Sequence, residues 1–262
     1  MRGELKVNTL KPFFTNDFER LLFYQTNRFA SDLSKSTNNV GFIGGGVVFD
    51  SSMQRFVLHG TTIASFFVEG GKTSIVVSDG KVSEGPLLQP ASLEFNKLIE
   101  VDNTTVMAIS GSVGFAMLYA RMLNNWVETM ERIREEKLDT RSKVNMLSRI
   151  LRENLSLALS GMLVIPILTT YDDKHGPRIF MLTPDGSVVS KKTYAISGSG
   201  KVNEGGLLSD WNVNMSKEDG IELAKKLVKN ASKLDSATGG RIFIKIVSGN
   251  GIESVDGGWT ND

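Results

Sequence analysis

The sequence contains no cysteine. That excludes disulfides, thiolate metal sites and a cysteine nucleophile, and it agrees with a reducing compartment. Histidine is almost as scarce. His59 and His175 are the only two, they show no metal-ligand spacing, and a serine–histidine pair would have to use one of them. An excess of one charge is also missing: 30 basic residues face 29 acidic ones, a formal net charge of +1. Proteins that grip nucleic acid through phosphates carry a basic excess, so nucleic acid is not an expected partner. Long apolar runs are absent as well. Met162 to Leu168 has seven residues and contains Pro166, far short of the ~20 that a membrane-spanning helix requires. The opening Met1-Arg2-Gly3-Glu4-Leu5-Lys6 lacks the apolar core of a secretory signal. These features lead us to expect a cytoplasmic chain without a membrane partner.

What is present is ordinary for a globular protein: 262 residues, 40% hydrophobic and 23% charged. That length allows one large domain or two small ones. Residues 1–60 differ from the rest. Asn16 to Phe29 has the spacing of a short helix, with Phe18, Leu21, Leu22 and Gln25 near one face. A polar run, Ser31 to Asn39, and a glycine cluster at Gly41 and Gly44 to Gly46 follow. This reads as a loosely structured leader, not a compact domain.

From Thr61 the pattern tightens. Thr62 to Val68 alternates poorly but is rich in β-formers, Gly70-Gly71 signals a hairpin, and Lys72 to Ser78 answers as its second strand. Asn96 to Val101 and Thr104 to Ile109 form another expected pair around Asp102-Asn103. Two long helices follow. The first repeats apolar residues at three and four from Phe115 to Ile133, and the second does so from Val144 to Ala158, ending at Gly161. Further strands are expected at Met162 to Tyr171, Arg178 to Thr183, Ser187 to Ser190 and Tyr194 to Ser197. A helix starts near Ser216, where Asp219 completes a capping-box-like pair, and a hairpin around Gly249-Asn250-Gly251 closes the chain. Helices grouped between runs of antiparallel hairpins suggest sheets inside and helices outside.

The junction His59-Gly60-Thr61-Thr62-Ile63 has two readings. One is a plain strand start after a flexible glycine. The other is a self-cleaving Gly60–Thr61 bond: the hydroxyl attacks the preceding carbonyl, an ester forms, and water releases a chain that starts at Thr61. The freed α-amine, with a reference pKa of about 7.7–8.0, can take the proton of the same residue's hydroxyl.

Read onward, the sequence supplies Asp79-Gly80-Lys81-Val82-Ser83-Glu84-Gly85, then Lys97, Ser110-Gly111-Ser112, Ser197-Gly198-Ser199-Gly200 and Leu234-Asp235-Ser236-Ala237-Thr238-Gly239-Gly240. This ordered set resembles the proteasome β family from Thr61 to about Val255. The stretch from Arg152 to Asp172 looks most like the actinobacterial-type bacterial members. The resemblance implies an α+β fold, a four-layer αββα sandwich of the N-terminal-nucleophile hydrolase type. It implies a propeptide of residues 1–60, removed by autocatalysis, and a catalytic domain of residues 61–262. The activity implied is threonine endopeptidase action on unfolded polypeptides, with no metal or organic cofactor. Seven-membered β rings, two stacked, with α-type subunits and an ATPase or similar activator, complete the implied assembly.

The site residues follow the same resemblance. Thr61 is the nucleophile. Lys97 stands beside its hydroxyl, where a fixed cation favours the ionised oxygen, and Asp79 holds that lysine. Gly111 offers its N–H to the developing oxyanion. Ser199, Asp235 and Thr238 support the threonine amine, Thr238 standing where many relatives have serine. Val82, Ile99, Ile109 and Val113 form the pocket beside the threonine. The chain departs from the family in two stretches, Gly71 to Asp79 and Gly85 to Lys97, each two residues longer than the pattern. The second could bring Glu94 to the pocket rim. Gly80 stands where the family often has arginine. The alternatives are another N-terminal-threonine protease, such as the two-ring HslV type, and a noncatalytic β-type subunit. Gly198-Ser199-Gly200-Lys201 resembles the end of a P-loop, but Val202 replaces the metal-binding hydroxyl. Trp126 and the Met/Phe positions of the first helix are read as core or subunit contact.

Overall fold

The structure, a computed structural model, describes residues 61–84 and 89–261, and before them two short strands, β1 (Phe42–Ile43) and β2 (Gly46–Val47), paired with each other. The expected helix at Asn16 to Phe29 and the Gly60 side of the junction lie outside the described residues.

Two five-stranded antiparallel sheets form the body. One has the order β12 (Tyr194–Ser197), β3 (Ile63–Val68), β4 (Thr73–Asp79), β13 (Arg241–Ser248), β14 (Gly251–Trp259). The other runs β11 (Val188–Lys191), β10 (Gly176–Leu182), β9 (Ile167–Asp172), β8 (Thr105–Ala108), β7 (Leu98–Asp102). The poor alternation of β3 now has a cause: both its faces are buried. Ile63 and Phe67 point into the layer between the sheets with Val76, Val106, Ile167, Ile179 and Val247. Ala64, Phe66 and Val68 point the other way, under helix α5 (Lys217–Leu234), which packs Leu223, Ala224, Leu227 and Val228 against Ile75, Val77 and Ile244. A strand covered on both sides gains from apolar residues at every position, at roughly 1.5–3 kcal/mol for each large side chain fully buried.

Helices α1 (Val113–Arg134) and α2 (Thr140–Glu153) cover the outer face of the second sheet. Tyr119, Leu123, Val127, Leu147 and Leu151 meet Met107, Leu168, Phe180 and Leu182 there. The order helix, sheet, sheet, helix is the expected four-layer αββα sandwich. Asp139 caps α2 by accepting from Ser142 N–H at 2.7 Å, and Ser216 caps α5 by accepting from Asp219 N–H at 3.0 Å. No described helix is long and apolar enough to cross a membrane.

Three local expectations change. The second long helix is interrupted at Asn154, whose side-chain amide donates to the Ile150 carbonyl at 2.8 Å, and α3 (Leu155–Leu159) restarts it. The strand expected from Met162 begins only at Ile167. Leu163 and Ile165 instead bond to the loop around Gly111. Two elements were not expected: the ribbon β5 (Val82–Glu84) with β6 (Gln89–Ser92), and helix α4 (Glu204–Asp210).

Candidate active site

Thr61 lies two residues before β3 and is 4% exposed. Asp79, at the far end of the neighbouring strand β4, holds the next residue twice. Its N–H donates to the Thr62 carbonyl at 3.1 Å and its Oδ1 accepts from Thr62 N–H at 2.8 Å. Lys97, just before β7 on the other sheet, donates to the same Oδ1 at 2.6 Å and to the Lys81 carbonyl at 2.7 Å. Sharing one oxygen with Thr62 N–H places the Lys97 ammonium beside the Thr61–Thr62 peptide. Lys81 N–H at 3.2 Å and Gly239 N–H at 3.1 Å donate to Asp79 Oδ2. Four donors fill a carboxylate that only accepts, and we describe the pair as ionised.

Asp79 and Lys97 are 0% and 1% exposed. Burial pushes the Asp79 carboxyl up and the Lys97 ammonium down, and each shift is opposed by the partner's charge and hydrogen bond. Removing one member of such a pair leaves an uncompensated buried charge, at a cost of about 3–5 kcal/mol.

A second cluster meets Thr61 from the other side. Its backbone N–H donates to Ser199 Oγ at 3.3 Å, and Ser199 Oγ donates to Asp235 Oδ2 at 2.5 Å. Thr238 Oγ1 donates to the same Oδ2 at 2.6 Å and lies 2.8 Å from Thr62 Oγ1. The chain can approach this closely because glycines flank Ser199. A Cβ on Gly198 would lie 2.1 Å from the Thr61 carbonyl oxygen, and one on Gly200 would lie 1.7 Å from Thr62 Oγ1.

Gly111 sits in the loop before α1 at φ +95°, and a Cβ there would lie 2.1 Å from the Leu163 carbonyl oxygen. It pairs with Val164 through flanking bonds, Ile165 N–H to Ser110 C=O at 3.0 Å and Ser112 N–H to Leu163 C=O at 2.7 Å. The Gly111 N–H therefore takes no part in the bridge. Ser110 Oγ lies 2.9 Å from Ser197 Oγ, which ties this loop to the Gly198–Ser199 turn at Thr61. A rigid loop of this kind can aim an N–H at a developing oxyanion.

Of the four expected pocket residues, Ile99 and Ile109 both pack in the cluster under α1, Ile109 fully buried. Val82 is buried and Val113 half-buried, and neither belongs to that cluster. Glu94 is exposed. Leu93 and Phe95 pair with the chain next to Asp79: Phe95 N–H donates to Gly80 C=O at 3.0 Å and Arg241 N–H to Leu93 C=O at 2.8 Å. That explains Gly80, where a Cβ would lie 2.6 Å from the Leu93 carbonyl oxygen.

Two residues at the site were not foreseen in the sequence. Lys81 gives its carbonyl to Lys97 and donates from its ammonium to the Ser236 carbonyl at 2.5 Å, joining the Asp79 corner to the Asp235 turn. Thr62 is 0% exposed and places a hydroxyl among the second cluster. The paired threonines were the only sequence signal for it. Among the described residues no group of three or more His, Asp or Glu could hold a metal ion.

A sequence model of the family described as "Proteasome subunit" matches residues 57–247, a span that contains every residue of both clusters. Relatives named "Proteasome subunit beta" are 29% identical over 184 residues in Streptomyces griseus, 28% over 193 in Acidimicrobium ferrooxidans and 30% over 186 in Frankia alni. The alignments cover 70%, 73% and 70% of this chain and 64%, 69% and 66% of those proteins. The chain thus spans about two thirds of the length of the relatives it matches.

Proposed function

The chain belongs to the proteasome subunit family, and from that premise we propose that it is a catalytic β-type subunit, a threonine endopeptidase whose nucleophile is Thr61. The observation that carries this reading is the enclosure of Thr61 by two sets of groups with different chemistry. The buried Asp79–Lys97 pair lies beside it, and the Ser199–Asp235–Thr238 cluster receives its N–H.

Two reactions follow from one hydroxyl. In the first, Thr61 Oγ attacks the Gly60 carbonyl carbon, the Gly60–Thr61 C–N bond breaks, and an ester to Thr61 Oγ forms while the nitrogen takes a proton. Water hydrolyses the ester, residues 1–60 leave, and Thr61 gains an α-amine. In the second, that amine takes the hydroxyl proton, Oγ attacks a substrate carbonyl, and the proton passes to the leaving amine. Water then cleaves the acyl ester. The Lys97 cation favours the ionised Oγ, and the Gly111 N–H stabilises the tetrahedral oxyanion. Neither step calls on a metal or an organic cofactor.

On this reading residues 1–60 are a propeptide and residues 61–262 the catalytic domain. The working particle is two stacked heptameric β rings flanked by α-type subunits in the cytoplasm, fed with unfolded polypeptide by an ATPase or other ring activator. A ring-building subunit without activity is the weaker alternative, because a buried ion pair contributes little stability over apolar packing and its position beside Thr61 favours a chemical role. The two-ring HslV type accounts less well for the long leader. The test is hydrolysis of a fluorogenic peptide by wild type, Thr61→Ala and Thr61→Ser. Activity lost in the alanine variant and kept in the serine variant is expected; an alanine variant as active as wild type contradicts the reading.

A further inference from the structure

Distance and proton count favour one order of donation among the hydroxyls around Asp235. Each carries a single proton, and a carboxylate donates none. Thr238 Oγ1 spends its proton on Asp235 Oδ2, 2.6 Å away. In the 2.8 Å contact between Thr62 and Thr238 the donor must then be Thr62. Ser199 Oγ has two acceptors within reach, Asp235 Oδ2 at 2.5 Å and the Thr61 carbonyl at 3.4 Å; the much shorter contact with the carboxylate takes its proton, so it faces Thr61 N, 3.3 Å away, with a lone pair. The result is a directed chain in which Thr62 donates to Thr238, Thr238 and Ser199 donate to Asp235, and Thr61 N donates to Ser199.

We propose that Thr62 is a positioning residue for the Thr61 amine. Its hydroxyl fixes the Thr238 rotor, Thr238 fixes the Asp235 carboxylate, and Asp235 keeps Ser199 turned as an acceptor toward Thr61 N. The side chain is held for this purpose on all sides. Thr62 is 0% and Thr238 3% exposed, so water does not replace the bond. Gly200 crosses so close that a Cβ there would lie 1.7 Å from Thr62 Oγ1, which leaves the hydroxyl directed at Thr238. The backbone of Thr62 is locked separately by Asp79, through its N–H at 2.8 Å and its carbonyl at 3.1 Å. Thr62 thus links the Asp79–Lys97 pair, through its peptide, to the Asp235 cluster, through its hydroxyl. An amine held by Ser199 as a donor keeps its lone pair for the Thr61 hydroxyl proton; an amine that turns loses alignment for that transfer. Loss of Thr62's donor therefore slows the chemical step and leaves substrate binding unchanged.

This inference rests on the threonine-protease reading, and the experiment separates the two. Thr62→Val has the same shape without the donor, and Thr62→Ser keeps the donor without the methyl group. In particles assembled from the full-length precursor and processed at Gly60–Thr61, Thr62→Val is expected to lower kcat for a fluorogenic peptide about tenfold at unchanged KM, with Thr62→Ser within about twofold of wild type. A packing role gives the reverse order, serine low and valine near wild type, and that order, or a valine variant at wild-type rate, overturns the proposal. Should Thr62→Val fail to assemble, Thr62→Ala set against Thr62→Ser reads the same donor: alanine about tenfold below serine, with serine near wild type, supports the role, and serine as low as alanine, or alanine at wild-type rate, overturns it. Thr61→Ala run in parallel reads the parent claim. Activity surviving in it removes the nucleophile and the role of Thr62 together, whereas activity lost in it with Thr62→Val unaffected removes the role of Thr62 alone.

Discussion

Replacing Lys97 by alanine separates stability from chemistry at this site. The substitution deletes two short hydrogen bonds, 2.6 Å to Asp79 and 2.7 Å to the Lys81 carbonyl. Asp79 keeps its three backbone donors and loses its counter-charge in a position that is 0% exposed. An uncompensated buried charge of this kind costs about 3–5 kcal/mol. For a domain of this size each kcal/mol lowers Tm by about 2–4 °C, so Tm should fall by roughly 6–20 °C. The catalytic loss has a different origin. Without a fixed cation beside it, the ionised Thr61 oxygen is no longer favoured, and loss of one such preorganised group typically costs about 10²–10³ in rate. Peptide hydrolysis measured at 25 °C, below the lowered Tm, reads the chemical loss, any failure to cut Gly60–Thr61 included, and circular dichroism on heating reads the first effect. The double variant Asp79→Asn, Lys97→Met removes both charges; it should recover the part of the stability lost to the unpaired charge, though the Asn amide faces backbone N–H donors, and none of the activity. If Lys97→Ala hydrolyses peptides within a few-fold of the wild-type rate, or if the double variant regains activity with stability, the role given to Lys97 is wrong.

Gly200→Ala should abolish activity, since the new Cβ would lie 1.7 Å from Thr62 Oγ1, while Gly205→Ala, with nothing within 4 Å, should leave it unchanged; kinetics on the two purified variants checks this. Burial pushes the Asp102 carboxyl up, but the Lys143 ammonium at 2.8 Å and the bonds from Thr104 outweigh burial and hold it below 3.8. A native pKa depressed in this way stabilises the fold above about pH 3.8 and ceases to do so as pH falls through the native value. Urea unfolding should therefore show Lys143→Met less stable than wild type by about 3–5 kcal/mol at pH 7, with the gap narrowing below pH 3.8. If Val82, Ile99, Ile109 and Val113 line the proposed pocket, cleavage should favour apolar residues on the acyl side of the bond, because none of the four offers a charge to a buried ionic partner; a peptide panel turned over faster after arginine than after leucine or phenylalanine would reject this pocket.

The layers were legible in the sequence because their signals are local. The stripe along α1, the Ser216–Asp219 cap and the hairpin turns each lie within a few residues of what they specify. That Asp79, Lys97, Ser199, Asp235 and Thr238 gather around Thr61 and Thr62 was legible through their order along the chain, while their chemical roles remain part of the proposal. What stayed hidden depends on distant partners. Thr62 meets Thr238 across 176 positions, and Lys81 meets Ser236 across 155, so nothing beside either residue announces its role. The late start of β9 has the same character. Met162 to Tyr171 has the composition of a strand, but its first part is drawn off to brace Gly111, a demand set by the loop before α1. Asn154 interrupted α2 through a bond to its own backbone, which competes with helix formation although the apolar repeat continues across it.

The proposed chemistry begins at a single bond, Gly60–Thr61, and the intact mass of the active protein reads it directly. Wild-type particles that hydrolyse peptides should contain a chain of residues 61–262, and Thr61→Ala particles should retain residues 1–60 and be inactive. Active particles whose chain begins at any other residue, or an inactive Thr61→Ala protein that is nevertheless cut between Gly60 and residue 61 when purified alone, would contradict the claim that Thr61 cleaves its own leader and then serves as the nucleophile.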